Sequence, residues 1–547
     1  MRVADFFCGG GGFSEGFREA GFDVVLAVDL WKTAVESHHY NHPECNTVKM
    51  NVEDISLMNE VDFEEFVPDT EVIIGSPPCV AFSNSNKSGN ADKGLGIRLV
   101  EAYLRIVYRK LYKENSELKY WVLENVPNLK KYIKTEYSGS DLEIDEELYG
   151  ISSKKVLKVI FREDNIYNAK YYGVPSNRKR FICGNFPEPV KLREDNNLIT
   201  LGEVLTHLGT PDLEKKHPNE TIDDMFNGFK MKSKDITDHH YIQHVPKFQW
   251  VKAKRAKEDK GYMGKMAFPE NLDKPSRTIM ATMSLASREA MIFGYEDGFR
   301  APTIREIATL MSYPLDYRFC GSSIESKYRL VGNSVPPKMS YAIAKAIANK
   351  LVGRSDESNY ILIGHKNSDE FYNLNYTKIP MKIQKDKNFK SKYKYHIPYF
   401  KINTFRVELN NHRSDFENSK FVWEAEIHKS QGPNAEIHTI SKEALVRSLP
   451  DKLVMKLDNF VSTYCTEHLK GVSFYRLQMN YIEVTKKEKG KTPDDILFDI
   501  KAILSKYEFE KEEVFVKKDE NMKYPKGIII GYYILQNIIE YIGGNYE

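Results

Sequence analysis

The sequence predicts an α/β protein built on a doubly wound sheet. Over about residues 1–185, short apolar runs alternate with amphipathic stretches, which is the pattern of repeated strand and helix units. A glycine-rich turn follows the first apolar run, and later runs end in motifs that carry polar side chains. In a doubly wound sheet such segments meet at the carboxyl edge of the strands, where ligands bind.

The first apolar runs predict the strands of a parallel sheet. The expected strands span residues 3–7, 23–28, 72–74, 120–123 and 180–183. A helix is expected to begin near Ser14. Another is expected over residues 336–352, because alanines and isoleucines recur there at helical spacing after two prolines.

Two changes in the pattern predict the domain organisation. The strand and helix rhythm stops over residues 186–272, which predicts a small domain inserted into a main domain of residues 1–185 and 273–352. A polar segment at residues 353–359 predicts a linker. The chain beyond it, residues 360–547, is rich in Lys, Tyr, Asn and Glu, and its length of about 190 residues suits a separate α+β domain.

The composition narrows the class of protein. Hydrophobic residues make up 41% and charged residues 29%, which is typical of soluble domains and argues against a membrane or disordered protein. The six cysteines show no zinc-ligand spacing, so we expect no metal, reduced thiols and a cytoplasmic location. Because the net charge is only +2, nucleic-acid binding must rest on local basic patches.

The first motif is the glycine-rich turn, DFFCGGGGFS at residues 5–14. Glycines let the backbone turn tightly and approach a ligand, although a tight turn without a ligand is an equal alternative for this motif alone. Asp29, at the end of the second strand, lies where a doubly wound fold places the carboxylate that binds a ribose diol. Together these features predict a cofactor that contains adenosine.

The second motif, GSPPCVAFS at residues 75–83, presents the Cys79 thiol on a loop made rigid by two prolines. A cysteine in an apolar stretch is usually inert core. The position of this loop at the carboxyl edge favours a nucleophile instead.

Three further motifs follow in the chain, and they are YWVLENVP at residues 120–127, YYGVPSNRKRFI at 171–182 and LVGNSVPP at 330–337. Taken alone, Glu124 would more often be a helix-capping or surface residue. Taken alone, the arginines of the second of these motifs would more often form a charged cluster on the surface. The five motifs in this order resemble the DNA cytosine-5 methyltransferase family of bacterial restriction-modification systems, over about residues 1–350.

The resemblance implies a Rossmann-like domain that uses S-adenosylmethionine as methyl donor, with the inserted segment as its target recognition domain. Asp54 would meet the adenine amino group. The residues that the resemblance places in the cofactor site are Phe7, Gly9, Gly11, Asp29, Leu30, Asp54, Ile55, Pro78 and Asn333.

The resemblance also implies the chemistry. Cys79 would attack carbon 6 of a flipped-out cytosine, and Glu124 would hold or protonate ring nitrogen 3. Arg180, helped by Arg178, would contact the base and the catalytic loop. Addition of a thiolate turns the ring into an enamine that can take a methyl group at carbon 5.

Two positions depart from the family pattern. Val80 and Ser176 stand where the family usually has glutamine. Neither position carries a bond-making group, so the reaction class is unaffected. The departures leave open how the vacated space in the duplex is filled and how the catalytic loop is held.

We expect contacts with double-stranded DNA in two segments. Ser83 is the last residue of the cysteine motif, and Lys252, Lys254 and Arg255 belong to the basic run KFQWVKAKRAK at residues 247–257. A solvated helix face is the alternative for that run, but its position in the inserted segment favours phosphate contacts.

The sequence is also compatible with other functions. A DNA-binding regulator that kept the fold and an RNA methyltransferase are the alternatives for the whole chain. The C-terminal part allows a DNA-binding module, a dimerisation domain or a fused nuclease, for which Asp415, Glu424 and Glu426 are the candidate metal ligands. We favour DNA interaction or regulation there. A cognate restriction endonuclease is an expected partner, and the oligomeric state is open.

Overall fold

The computed structural model describes residues 1–78, 93–212, 215, 220–258, 266–353, 363, 372–375, 379–383, 387–430, 435–483, 490–505, 513–515 and 523–545. The chain forms two compact units, Met1–Lys382 and Ile383–Glu547. No helix among these residues is both long enough and apolar enough to cross a membrane.

The first unit contains strands and helices in alternation. Its strands are β1 (Arg2–Phe6), β2 (Asp23–Asp29), β3 (Asn46–Lys49), β4 (Val72–Gly75), β5 (Tyr120–Asn125), β6 (Glu136–Ser138), β7 (Val156–Lys158), β8 (Ile166–Asn168), β9 (Ser176–Asn177), β10 (Lys179–Cys183), β11 (Thr221–Asp223), β12 (Lys230–Lys232), β13 (Ser276–Arg277), β14 (Phe293–Tyr295) and β15 (Gly298–Arg300). Its helices are α1 (Gly12–Glu19), α2 (Lys32–Asn41), α3 (Val52–Ser56), α4 (Glu60–Phe66), α5 (Lys93–Tyr112), α6 (Glu146–Tyr149), α7 (Leu201–Leu208), α8 (Lys247–Glu258), α9 (Ile304–Leu310), α10 (Ile324–Asn333) and α11 (Pro337–Leu351).

The central sheet has the strand order β3-β2-β1-β4-β5-β10-β8. Strands β3, β2, β1, β4 and β5 are parallel. Each of the five predicted strands is present, and every residue of β4 is buried, as expected for a strand covered on both faces.

The sheet is mixed, so the prediction of a wholly parallel sheet is wrong for its last strands. β10, at the predicted strand 180–183, runs antiparallel to β5 and to β8. The reason is the short connection from β8 to β10, which holds one turn of 3₁₀ helix (Ala169–Tyr172) and β9. A parallel crossover needs a dozen or more residues, whereas antiparallel strands can be joined by a short turn.

The predicted helix after Pro336 is confirmed as α11, and it packs on α1. The contact is close because a Cβ on Gly16 would lie 2.4 Å from the carbonyl oxygen of Pro337. Ser340 Oγ also donates a hydrogen bond to the carbonyl oxygen of Phe13, at 2.6 Å. The helix that follows the last of the five motifs therefore packs against the helix that follows the glycine-rich turn.

The predicted inserted segment, 186–272, contains α7, β11, β12 and α8. Leu201 and Val204 of α7 share one hydrophobic core with Ile304 and Leu310 of α9. This segment thus packs into the first unit.

The boundary between the units lies later than the predicted linker at 353–359. Leu374 is 2% exposed within the core of the first unit. Asn375 Oδ1 accepts hydrogen bonds from the backbone amides of His239 and His240, and its Nδ2 donates to the carbonyl oxygen of Ile236. Residues 372–375 therefore form a strap on the first unit, and the second unit starts at Ile383 instead of residue 360.

The second unit combines an antiparallel sheet with helices. Its elements are β16 (Lys394–Ile402), β17 (Phe405–Asn410), β18 (Glu424–Lys429), β19 (Glu436–His438), α12 (Lys442–Ser448), α13 (Asp451–His468), α14 (Phe474–Ile482), α15 (Pro493–Leu504), β20 (Glu513–Phe515), β21 (Lys523–Pro525) and α16 (Lys526–Gly543). Strands β16 to β19 pair in chain order. The apolar helix α16 is buried along most of its length, in one core with Val407 and Ile427 of the sheet.

Candidate active site

The predicted motifs meet at the carboxyl edge of the parallel strands. Phe6 at the end of β1 pairs with Val28 and with Gly75, and Gly75 pairs with Leu123. The residues that follow these positions in each strand therefore lie side by side at one edge. Cys79 and Ser83 lie outside the described residues.

The glycine-rich turn is tied to the end of β2 through Asp29. The backbone amide of Gly9 donates to Asp29 Oδ2 at 2.9 Å, and the amide of Trp31 donates to Oδ1 at 2.8 Å. Burial raises the pKa of Asp29, and these two amide bonds oppose the rise. The carboxylate is thus fixed in orientation, yet it is only partly buried.

The turn leaves room for a ligand at Gly9. Its φ is +53°, a conformation that favours glycine, and no described atom lies within 4 Å of the place that a Cβ would occupy. Phe7, two residues earlier, also has a positive φ of 62° and is half-buried. An open backbone turn beside a fixed carboxylate fits the adenosine part of S-adenosylmethionine.

Other predicted cofactor residues differ in access. Leu30 is 61% exposed, and Pro78 and Asn333 are exposed as well, so all three can reach a ligand. Gly11 is buried, and a Cβ there would lie 2.2 Å from the Tyr317 hydroxyl. That hydroxyl donates to the carbonyl oxygen of Gly10 at 2.7 Å, so Gly11 permits a packing contact that holds the turn.

The structure places the two residues of the third predicted cofactor segment on α3. Ile55 is fully buried in the core beside α5, and Asp54 is an exposed residue of α3. Asn51 instead follows the end of β3, and the amide of its neighbour Met50 donates to the carbonyl oxygen of Asp29 at 3.1 Å. Asn51 is therefore a further candidate for the cofactor site. No apolar run signals it in the sequence, because β3 consists of Asn, Thr, Val and Lys.

Glu124 and Arg180 form a buried ion pair on adjacent strands. Arg180 Nε lies 2.8 Å from Glu124 Oε1, and the residues are 9% and 5% exposed. Burial raises the pKa of Glu124, while Arg180 and then Arg178 lower it. A carboxyl group in this environment can hold a proton at higher pH than a solvated glutamate, which suits hydrogen bonding to a ring nitrogen.

The residue after Glu124 links it to the cysteine motif. Asn125 Nδ2 donates to the carbonyl oxygen of Pro77 at 2.9 Å, in a buried contact. Since Pro77 stands two residues before Cys79, this hydrogen bond holds the start of the cysteine loop beside the carboxylate.

Arg178 lies in the interior, 1% exposed. Its guanidinium donates to the carbonyl oxygens of Ile279, Gly332 and Ser334 at 3.0, 3.0 and 2.8 Å. A side chain committed to three backbone oxygens is poorly placed to reach a base. We therefore assign Arg178 a positioning role in place of the base contact that the resemblance implied.

The basic run forms α8 and turns one cation inward. Lys252, Lys254 and Arg255 are exposed, as phosphate contacts require. Lys257 is fully buried and bonds to Glu270 Oε1 at 2.5 Å.

The acidic residues considered for a nuclease are engaged in local contacts. Asp415 accepts from Asn418, Glu424 pairs with Arg413 at 3.1 Å, and Glu426 pairs with His428 at 2.8 Å. Within the part of the chain that the structure describes, no three His, Cys, Asp or Glu side chains are grouped to hold a metal ion.

Comparison with known proteins decides the family. The family model for C-5 cytosine-specific DNA methylases matches residues 1–349. The chain belongs to this family. The methylase transfers a methyl group from S-adenosylmethionine to carbon 5 of cytosine in DNA.

Individual relatives each cover about two thirds of the methylase. A type II methyltransferase of Haemophilus parahaemolyticus is 30% identical over 376 residues, which cover 63% of this chain and 86% of the relative. A type II methyltransferase of Neisseria gonorrhoeae is 25% identical over 360 residues, or 64% and 96% of the two chains. The solved structure of the S. pombe Dnmt2 methyltransferase has 18% identity and a TM-score of 0.42, and covers 64% of this chain and 99% of that one.

Proposed function

We propose that this methylase modifies one cytosine in a specific duplex sequence, as the modification enzyme of a restriction-modification system, with Cys79 as nucleophile and Glu124 as the group that contacts the base. One observation carries the residue assignment. The buried pair of Glu124 and Arg180 lies next to Asn125, which holds Pro77, two residues before Cys79.

The glycine-rich turn and Asp29 would bind the cofactor. Asp29, fixed by two backbone amides, offers its remaining lone pairs to a ribose diol, and the open side of Gly9 gives access to the backbone. Asn51, after the neighbouring strand, caps α3 because its Oδ1 accepts from the backbone amide of Glu53 at 3.2 Å, and the exposed Asp54 of that helix would meet the adenine amino group. When bound, S-adenosylmethionine supplies an electrophilic methyl group on a positively charged sulfur.

The Cys79 thiolate forms a bond from Sγ to carbon 6 of cytosine, and the electron pair of the 5,6 double bond becomes available at carbon 5. Glu124 donates a hydrogen bond to ring nitrogen 3, where negative charge would otherwise build up. After carbon 5 takes the methyl group it loses its proton, the double bond re-forms and Cys79 leaves as thiolate. Arg180 keeps the Glu124 carboxyl in place throughout.

The DNA contacts would come from exposed cations of the inserted segment. Lys252, Lys254 and Arg255 present three charges on α8, which suits phosphates, and flipping brings the base to the pocket. The names of the type II relatives support the restriction-modification role, in which a cognate endonuclease would be the partner and the cytoplasm the location.

The test is methylation of plasmid DNA with S-adenosylmethionine, followed by bisulfite sequencing. We expect protection of one cytosine within a short recurring sequence, and no protection with Cys79→Ser. Protection without sequence preference would contradict the modification role. Unchanged protection by the serine variant would contradict the assignment of Cys79.

A further inference from the structure

A cluster of three charged side chains, of which Lys257 and Glu270 are buried and Arg277 is half-buried, joins α8 to β13. Glu270 is 9% exposed, and its Oε1 accepts from Lys257 Nζ at 2.5 Å. Arg277 Nε lies 3.2 Å from Oε1 and 3.1 Å from Oε2 of the same carboxylate. Glu270 thus holds Lys257 of α8, the helix proposed to contact DNA, and Arg277 of β13, which pairs with β9 in a two-stranded sheet.

On the side of Arg277, the cluster is connected to the active site through β13 and β9. β13 pairs in parallel with β9, with Arg277 opposite Asn177. Thr278 Oγ1 also donates to the carbonyl oxygen of Asn177 at 2.9 Å. Asn177 precedes Arg178, and Arg180, which pairs with Glu124, is only three residues further along the chain.

The helix end of the cluster lies under the exposed cations. Lys257 is two residues after Arg255 in α8, and its side chain is fully buried beneath that helix. Arg288 donates a further hydrogen bond to the carbonyl oxygen of Ala256. A shift of α8 on DNA would therefore move Lys257 and, through Glu270, the strand that carries Arg277.

The cluster needs its central carboxylate. Lys257 and Arg277 are cations on either side of Glu270, so without that charge they would repel each other in a poorly hydrated place. Burial lowers the pKa of Lys257, and Glu270 opposes this change. Removing the negative charge of Glu270 would therefore weaken the contact between α8 and β13.

We propose that Glu270 is a positioning residue for methyl transfer, which couples the docking of α8 on DNA to the placement of Arg180 and Glu124. This inference rests on the proposed function, since it assumes that α8 contacts DNA and that Glu124 contacts the base. Glu270 itself touches neither DNA nor cofactor.

The experiment uses the full chain and plasmid DNA copied with 5-fluoro-dCTP in place of dCTP. S-adenosylmethionine is present in excess. Once carbon 5 has received the methyl group, its fluorine cannot leave as a proton would, so each completed transfer ends in a covalent complex. The rate constant of trapping and the fraction of protein trapped are measured separately, with the Kd values for DNA and S-adenosylmethionine. Glu270→Gln and Lys257→Met are compared with Glu258→Gln, which removes an exposed carboxylate of the same helix, 3.7 Å from Lys254.

We expect Glu270→Gln to slow trapping about 10-fold while both Kd values stay within about twofold of the original. Lys257→Met should act in the same way, and the double variant should be no slower than the slower single variant, because both changes break one link. Glu258→Gln should trap at the original rate.

Two results would overturn the inference alone: an unchanged trapping rate in Glu270→Gln, or equal slowing by Glu258→Gln. If the rate is unchanged but a smaller fraction of the protein is trapped, the cluster only supports folding. Failure of the original chain to trap would instead overturn the proposed function, and the inference with it.

Discussion

At the scale of single residues, the proposed mechanism of methyl transfer depends strongly on Glu124. Replacing it with glutamine keeps the size of the side chain but removes the proton-donating carboxyl and the charge that holds Arg180. Since general acid or base groups contribute about 10²–10⁴-fold, we expect Glu124→Gln to lower kcat at least about 100-fold with little effect on cofactor Kd. Steady-state methylation kinetics and calorimetric titration with S-adenosylmethionine measure the two quantities.

The matched control is Glu117→Gln, at an exposed position just before β5. It should retain full activity. If both variants were fully active, Glu124 would have no part in the chemistry.

Asp5, the first residue of the glycine-rich motif, is completely buried. Its Oδ2 accepts from Ser14 Oγ at 2.7 Å, and no described group donates to Oδ1. Burial raises the pKa of Asp5 from 3.8 to about 8. The folded protein therefore holds a proton that the unfolded chain releases near pH 4, and the stability from it is lost as the pH rises from about 4 to 8.

Asparagine mimics the protonated carboxyl, so Asp5→Asn should remove this pH dependence. The free energy of unfolding of the original chain should fall by about 1.4 kcal/mol more per pH unit than that of the variant, between pH 5 and 7. Denaturant melts across this range give the slopes. Asp23→Asn, at an exposed position, should keep the original slope, and identical slopes for all three proteins would show that Asp5 is ionised in the fold.

At the scale of elements, α8 supplies the proposed phosphate contacts. Changing Lys252, Lys254 and Arg255 to glutamine should weaken DNA binding and lower the slope of log K against log salt by about 0.9 for each phosphate that is no longer neutralised. The same charge change at the exposed Lys154, Lys155 and Lys158, around β7, is the control. Fluorescence titrations at several salt concentrations measure both. Equal slopes for the two triple variants would show that α8 is only a solvated helix.

The strap at residues 372–375 is a second element with a measurable role. It buries Leu374 and uses Asn375 to satisfy the backbone amides of His239 and His240. A fragment that ends at residue 382 should fold and bind S-adenosylmethionine, whereas one that ends at residue 353 should be less stable by at least about 2 kcal/mol. Denaturant melts of the two fragments test this.

Point variants in the full chain separate the strap from general effects of truncation. Leu374→Ala should lower the stability of the first unit, and Met381→Ala, at a residue 56% exposed, should not. Equal stability of the two fragments would mean that the strap adds nothing to the first unit.

The elements also show what a sequence can and cannot predict. Apolar runs located the strands, because burial on both faces of a parallel sheet requires them. The same runs carry no information on direction, so the reversal of β10 was missed. Within the basic run, spacing alone did not reveal that Lys257 turns inward, because its partner Glu270 is fixed only by the tertiary fold.

The same distinction holds within the site. Motif residues at the end of a strand, such as Asp29 and Glu124, lie at the edge that the sequence predicted, because parallel strands end side by side. The burial of the Ile55 side chain could not be predicted from the motif, because the side of α3 that faces the core is set by packing against α5. The buried place of Arg178 depends on carbonyls about 100 to 150 residues away, and no local pattern shows such contacts.

At the scale of the whole molecule, the family match ends at residue 349, and the second unit is a compact body with its own core. The proposed methyl-transfer residues all lie in the first unit. The chemistry is therefore assigned to that unit alone, and it depends on one bond, between Cys79 and the target base.

The most direct test is to find that bond. The full chain is incubated with S-adenosylmethionine and DNA that contains 5-fluorocytosine, and the covalent complex is isolated in denaturant, digested and analysed by mass spectrometry. We predict one adduct, on the peptide that contains Cys79, and none with Cys79→Ser. An adduct on another cysteine, or no adduct under conditions in which ordinary DNA becomes methylated, would contradict the proposed mechanism.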